Sequence, residues 1–140
     1  MNNPDLGQRL LLASARLVRQ ARQSAPSGLT SSQASALVSL SRLGPIRVSD
    51  LAQVEAVALP VMTRLIGSLE ELQLVVKVAS AIDKRSVMVE LTDAGRAKIG
   101  SLISEQSVVV SAKLEALTPE EINSLRGALE ALEKLGSQNR

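Results

Sequence analysis

Residues 60–77 read PVMTRLIGSLEELQLVVK, a helical pattern that passes without a loop into a strand. Val61, Leu65, Ile66, Leu69 and Leu72 recur at three- and four-residue intervals and predict a single buried stripe. Thr63, Arg64, Gly67, Ser68 and Glu71 then face away from it. Pro60 suits the first helical position, where its missing N–H would have had no partner. The spacing therefore predicts a helix over about 60–73 with a polar outer face that the protein's own core does not use.

The neighbouring segments give this helix its setting. Upstream, Thr30 with Gln33 three residues on forms a capping box for a helix that ends at Gly44-Pro45. Glycine there is expected in the left-handed C-terminal conformation. A short extended piece over 46–48 leads to Ser49, the expected cap of a brief helix through Leu51 and Ala52. Downstream, LVVKVAS (74–80), a polar tip AIDKR (81–85) and SVMVELT (86–92) predict a β-hairpin, with Val87, Val89 and Leu91 alternating with Ser86, Met88 and Glu90. Thr92 caps a long helix to about Leu114, and Thr118, Pro119 and Glu121 start a last one. A first helix over about 5–24 carries Leu6, Leu10, Ala13, Leu17 and Ala21 on one face and Arg9, Arg16, Arg19 and Arg22 on others.

The composition narrows the function classes. The chain has 140 residues, 45% of them hydrophobic, enough to bury a core. It contains neither cysteine nor histidine, which excludes disulfides, thiol redox sensing, imidazole metal ligation and nucleophiles paired with an imidazole. No cofactor or metal is expected, and no enzyme activity. Glu120 and Glu121, the best acid candidates, are explained by their place at a helix N-terminus. Aromatic residues are absent, so any internal cavity has aliphatic walls. There is no run of about 18 apolar residues and no signal-peptide pattern at MNNPDLGQRL, so a cytoplasmic protein without membrane association is expected.

Net charge is +2. Residues 1–44 hold five arginines and one acid, 45–92 five basic residues and six acids, and 93–140 six and seven. Charge alone is thus a poor argument for nucleic-acid binding by the middle segment. Geometry is the better one. A short helix, a turn, a helix and then a hairpin with Asp-Lys-Arg at its tip is the element order of a winged helix-turn-helix. Its recognition helix fits a major groove about 12 Å wide with the polar face toward base edges. Arg64 can donate two hydrogen bonds to guanine or bind phosphate, and Thr63 offers a hydroxyl and a methyl. Lys84 and Arg85 on the tip, residues 81–86, suit the negative minor groove, with Asp83 near enough to orient the Arg85 guanidinium. A charged turn or a lone helix arginine is ordinarily just solvated; their order and spacing together carry the reading.

GPIRVSDLA (44–52), PVMTRLIGSLEELQLV (60–75) and DKRSVMVELTDAG (83–95), with the Asp-x-Arg of the wing and the Leu-Thr-x-x-Gly that follows, resemble the DNA-binding core of the MarR family of bacterial transcriptional regulators. The resemblance covers 29–95. It implies a mainly α fold with a small β-hairpin wing, in the order α-α-α-α-β-β-α-α. In that order 29–95 is the winged helix-turn-helix lobe, and 1–28 with 96–140 form a helical dimerisation lobe. The candidate DNA contacts are Ser49, Pro60, Val61, Thr63, Arg64, Ser68, Asp83, Lys84 and Arg85. Three positions depart from the family's usual residues: Gln73 stands in place of glycine, and Lys77 and Lys84 in place of arginines. A strained backbone or an altered helix end is therefore expected at Gln73.

Val108, Val109 and Val110 point to more than one side of their helix, and periodicity leaves open whether one chain or two bury them. The resemblance implies two. It further implies an inverted-repeat operator on double-stranded DNA, and regulation, most simply repression, relieved by a small aromatic or phenolic acid. Arg16 or Arg19 would be that acid's carboxylate partner. The rival expectation is a winged-helix module that binds protein and never contacts DNA, which the near-neutral middle segment keeps open.

Overall fold

Side-chain caps at Thr30, Thr92 and Thr118 set the starts of three helices. The computed structural model describes residues 3–83 and 85–137. In order these form α1 (Asn3–Ser24), α2 (Ser31–Leu43), β1 (Ile46–Arg47), α3 (Val48–Val54), α4 (Leu59–Glu71), β2 (Val75–Ala79), β3 (Val87–Leu91), α5 (Asp93–Leu114) and α6 (Pro119–Ser137). At α2 the Thr30 Oγ1 accepts the Gln33 N–H (3.1 Å) while Gln33 Oε1 accepts the Thr30 N–H (2.9 Å). Thr118 and Glu121 repeat the arrangement at α6. Gly44 has φ 72° but ψ −161°, so it is not the left-handed helical cap expected. Pro45 explains the difference: a residue before proline is pushed to extended ψ, and at positive φ that region is open essentially to glycine alone.

The sheet has three antiparallel strands in the order β1-β3-β2. Val75 to Ala79 pair in register with Leu91 back to Val87, and Ile46 and Arg47 pair with Val89 and Met88. The extended piece expected over 46–48 is thus a third strand over 46–47; its pairing with β3 goes beyond the expected hairpin, because two residues carry no alternation that would announce a sheet partner. It also moves the start of α3. The chain passes from strand into helix at Val48, the cap position is Arg47 with no side-chain bond, and Ser49 lies inside the first turn rather than capping it.

The division of the chain into two compact units follows its buried residues. Residues 25–105 form one unit, and 1–24 with 106–140 the other. The core of the first is Ala36, Leu37 and Leu40 from α2, Leu51 and Ala52 from α3, Met62, Ile66 and Leu69 from α4, Leu74 before the sheet, Val75, Val89 and Leu91 within it, and Ile99 from α5. Each of the larger side chains contributes on the order of 1.5–3 kcal/mol by leaving water. The α4 stripe is rotated from the one expected: Met62 is fully buried, whereas Val61 and Leu72 are exposed. Met62, Ile66 and Leu69 at i, i+4 and i+7 share one line on the helix, and the unbranched methionine fills the space available to it.

In the other unit α6 has no buried residue, and Ala21 is the one buried residue of α1. Leu11, Leu12, Val108, Leu125, Leu129 and Leu135 are all exposed in the single chain. Among the described residues no helix is long and apolar enough to cross a membrane.

Candidate nucleic-acid interface

With Met62, Ile66 and Leu69 in the core, helical geometry turns Pro60, Arg64 and Glu71 directly outward, with Thr63 and the half-buried Gly67 to one side and Val61 and Ser68 to the other. Pro60 is the second helical residue rather than the first, after Ala58 as an unbonded cap and Leu59. Thr63 and Arg64 are exposed. Thr63 Oγ1 donates to the Leu59 carbonyl at 2.9 Å, which spends its proton on the helix and leaves its methyl and oxygen lone pairs outward. Arg64 makes no ion pair or hydrogen bond among the described residues. Its five donors remain for a partner.

Ser68, half-buried like Gly67, donates to the Leu65 carbonyl (2.7 Å) and accepts from Gln33 Nε2 (3.1 Å). It ties α4 to the start of α2. Another tie, not visible in the linear pattern, holds the turn before α4. The Glu55 carboxylate accepts from Ser35 Oγ at 2.7 Å and from Ser39 Oγ, and Ala56 beside it takes a positive φ of 54°. Ser35 and Ser39 at i, i+4 share a face of α2, and that spacing was the one available signal.

The far end of α4 is held by the Leu-Thr-x-x-Gly segment. Gln73 adopts φ 60°, the left-handed conformation that glycine takes more cheaply, as its departure from the family pattern led us to expect. Thr92 Oγ1 donates to the Gln73 carbonyl (2.7 Å) and accepts the Gly95 N–H (3.0 Å), while the Thr92 N–H bonds the Leu74 carbonyl (3.1 Å). A Cβ at Gly95 would lie 2.0 Å from that carbonyl oxygen, so only glycine lets α5 start there.

At the hairpin tip, Ser80 Oγ accepts the N–H groups of Ile82 and Asp83, both at 3.3 Å. The Asp83 carboxylate accepts the Arg85 N–H (3.0 Å) and the Ser86 hydroxyl (3.2 Å). Asp83 thus braces the turn through the Arg85 backbone, and among the described residues no ion pair joins it to the Arg85 guanidinium. A short aspartate in a turn finds its own amides first. Arg85 is exposed, and Lys84 lies outside the described residues. An open concavity lined by Arg47, Val48, Ser49, Leu59, Ser86 and Val87 joins the starts of α3 and α4 to the wing, and it brings Arg47, absent from the candidate residues, beside Ser49. Arg16 and Arg19 are exposed on α1.

Residues 29–87 match the MarR family. The chain is 34% identical over 128 residues, 91% of its length and 90% of the relative's, to the uncharacterized HTH-type transcriptional regulator Mb0904 of Mycobacterium bovis. Its fold is similar to that of RV1404 from Mycobacterium tuberculosis, with a TM-score of 0.77 and 25% identity over 99% of this chain and 97% of that one. It is also similar in fold to a mutant of S. aureus MepR bound to an oligodeoxyribonucleotide, with a TM-score of 0.67 and 20% identity over 93% and 97% of the two chains. A winged helix-turn-helix with its outer helix face open, a family match across that segment and a relative aligned over nine-tenths of both chains agree: the chain belongs to the MarR family of DNA-binding transcriptional regulators.

Proposed function

We propose that the chain works as a cytoplasmic homodimer that binds an inverted-repeat operator in double-stranded DNA and represses transcription by occupying it. In this reading α4 enters the major groove, where Pro60, Val61, Thr63 and Arg64 meet bases and phosphates. Ser49 meets the backbone, and the wing brings Arg85 to the minor groove. The observation that carries the reading is the outer face of α4: Arg64, without an ion pair or hydrogen bond among the described residues, projects from a helix anchored by Met62, Ile66 and Leu69. The dimer is supported by the exposed leucines of α1 and α6, since most of a helix's stability in a protein comes from packing its apolar face against a partner. A small aromatic or phenolic acid, held through its carboxylate by Arg16 or Arg19, would relieve repression by changing the distance between the two recognition helices.

The test is binding of the chain to a fragment of its own promoter. Arg64→Ala and Arg85→Ala should each cost about 1–3 kcal/mol of binding, and the loss of either cation should make the salt dependence shallower. Thermal stability should not change in either variant. Wild-type affinity with both arginines removed would end the assignment of α4 and the wing.

A further inference from the structure

Gly67 sits in the middle of α4, half-buried beside its exposed outer face, three residues after Arg64 and four after Thr63. A helical glycine is costly, roughly 1 kcal/mol worse than alanine, because it has more backbone freedom to lose. Nothing inside the protein demands it: its φ is not positive, and a Cβ built there would meet no atom within 4 Å. Gly95, by contrast, has an internal reason, the Leu74 carbonyl; Gly7, Gly100, Gly127 and Gly136 are open in the same way as Gly67, and what sets Gly67 apart from them is its place on α4 beside Arg64. The surface around Gly67 is low as well. Thr63 and Ser68 turn their hydroxyls back onto the carbonyls of Leu59 and Leu65, so between 63 and 68 Arg64 is the one long side chain on the outer face. Glu71 ends the depression one turn on, where its carboxylate repels phosphate.

We infer that Gly67 is a clearance residue for DNA: the helix backbone at this point comes into van der Waals contact with base edges in the major groove, at a depth a Cβ would forbid. This rests on the assignment of α4 as the recognition helix and adds a determinant to it. The shallow seat lets Arg64 reach the groove floor with its guanidinium and commits the bases facing Gly67 to shapes that fit against bare backbone.

Gly67→Ala separates this role from a structural one, because the two move in opposite directions. Measured on the full-length protein with its promoter fragment, the variant should melt a few degrees higher, as expected for about 1 kcal/mol in a chain of this size, and bind DNA at least tenfold more weakly. Gly67→Leu should bind more weakly still. Arg64→Ala is measured beside them. If Gly67→Ala binds within twofold of wild type while Arg64→Ala is impaired, the clearance role is overturned and the recognition helix stands; if both bind like wild type, the recognition helix falls too. A lower melting temperature in Gly67→Ala would show an internal clash and also overturn the inference.

Discussion

Residues 25–105 and the helices on either side of them use similar residues for opposite ends. In the first unit the leucines, valines and Met62 converge on one core drawn from four helices and the sheet. In the unit made of 1–24 and 106–140, Ala21 is the one buried hydrophobic among the described residues, while the leucines of α6 stay open to solvent. Sequence periodicity looks alike in both, since α1, α4 and α6 are all amphipathic. The difference lies in what covers the stripe. One unit carries its own cover, and the other leaves an apolar stripe open, which the proposed dimer would cover.

The largest expected effect tests that cover. Leu129→Asp places a charge on the exposed α6 stripe, harmless in a lone chain but costly once a second copy buries it. Association should weaken by about 3 kcal/mol or more, upwards of a hundredfold, as read by sedimentation against concentration. An unchanged association constant would remove α6 from the interface. Next is Gly95→Ala inside 25–105. Its methyl would collide with the Leu74 carbonyl, and denaturant unfolding should show a loss on the order of 3 kcal/mol. A neutral result would mean that the start of α5 is not clamped to the end of α4.

The smallest effect runs the other way. Gln73→Gly relieves a left-handed non-glycine backbone at φ 60° and should stabilise the protein by about 1 kcal/mol, with the Thr92 bond kept because it goes to the residue 73 carbonyl. A loss of stability would show that the Gln73 side chain contributes more than its backbone costs.

Much of the fold was legible because its signals are local. Thr30 with Gln33 and Thr118 with Glu121 are reciprocal caps in sequence and in space, and the alternation of Val87, Val89 and Leu91 announced a strand. The signals that failed depended on distant partners. Ile46 and Arg47 are extended as expected, but their partners Val89 and Met88 lie more than forty positions away, and the helix that follows starts at Val48 rather than being capped by Ser49. Val61 and Met62 are adjacent and both apolar; packing within the core, rather than spacing, selected Met62. In the candidate site, Thr63, Arg64 and Arg85 were readable as exposed polar residues on an amphipathic framework. The engagement of Ser68 with Gln33, of Asp83 with its own turn and of Glu55 with two serines was not, because hydrogen-bond geometry has no counterpart in periodicity.

Selection of bound fragments from random DNA, followed by hydroxyl-radical footprinting of the winners, tests the central claim most directly. Two symmetry-related α4 helices predict an inverted repeat whose half-site centres lie roughly one helical turn, about 34 Å, apart, with matching protection on both strands. Enrichment of a single asymmetric half-site bound by one chain, or of no sequence at all, would contradict the account.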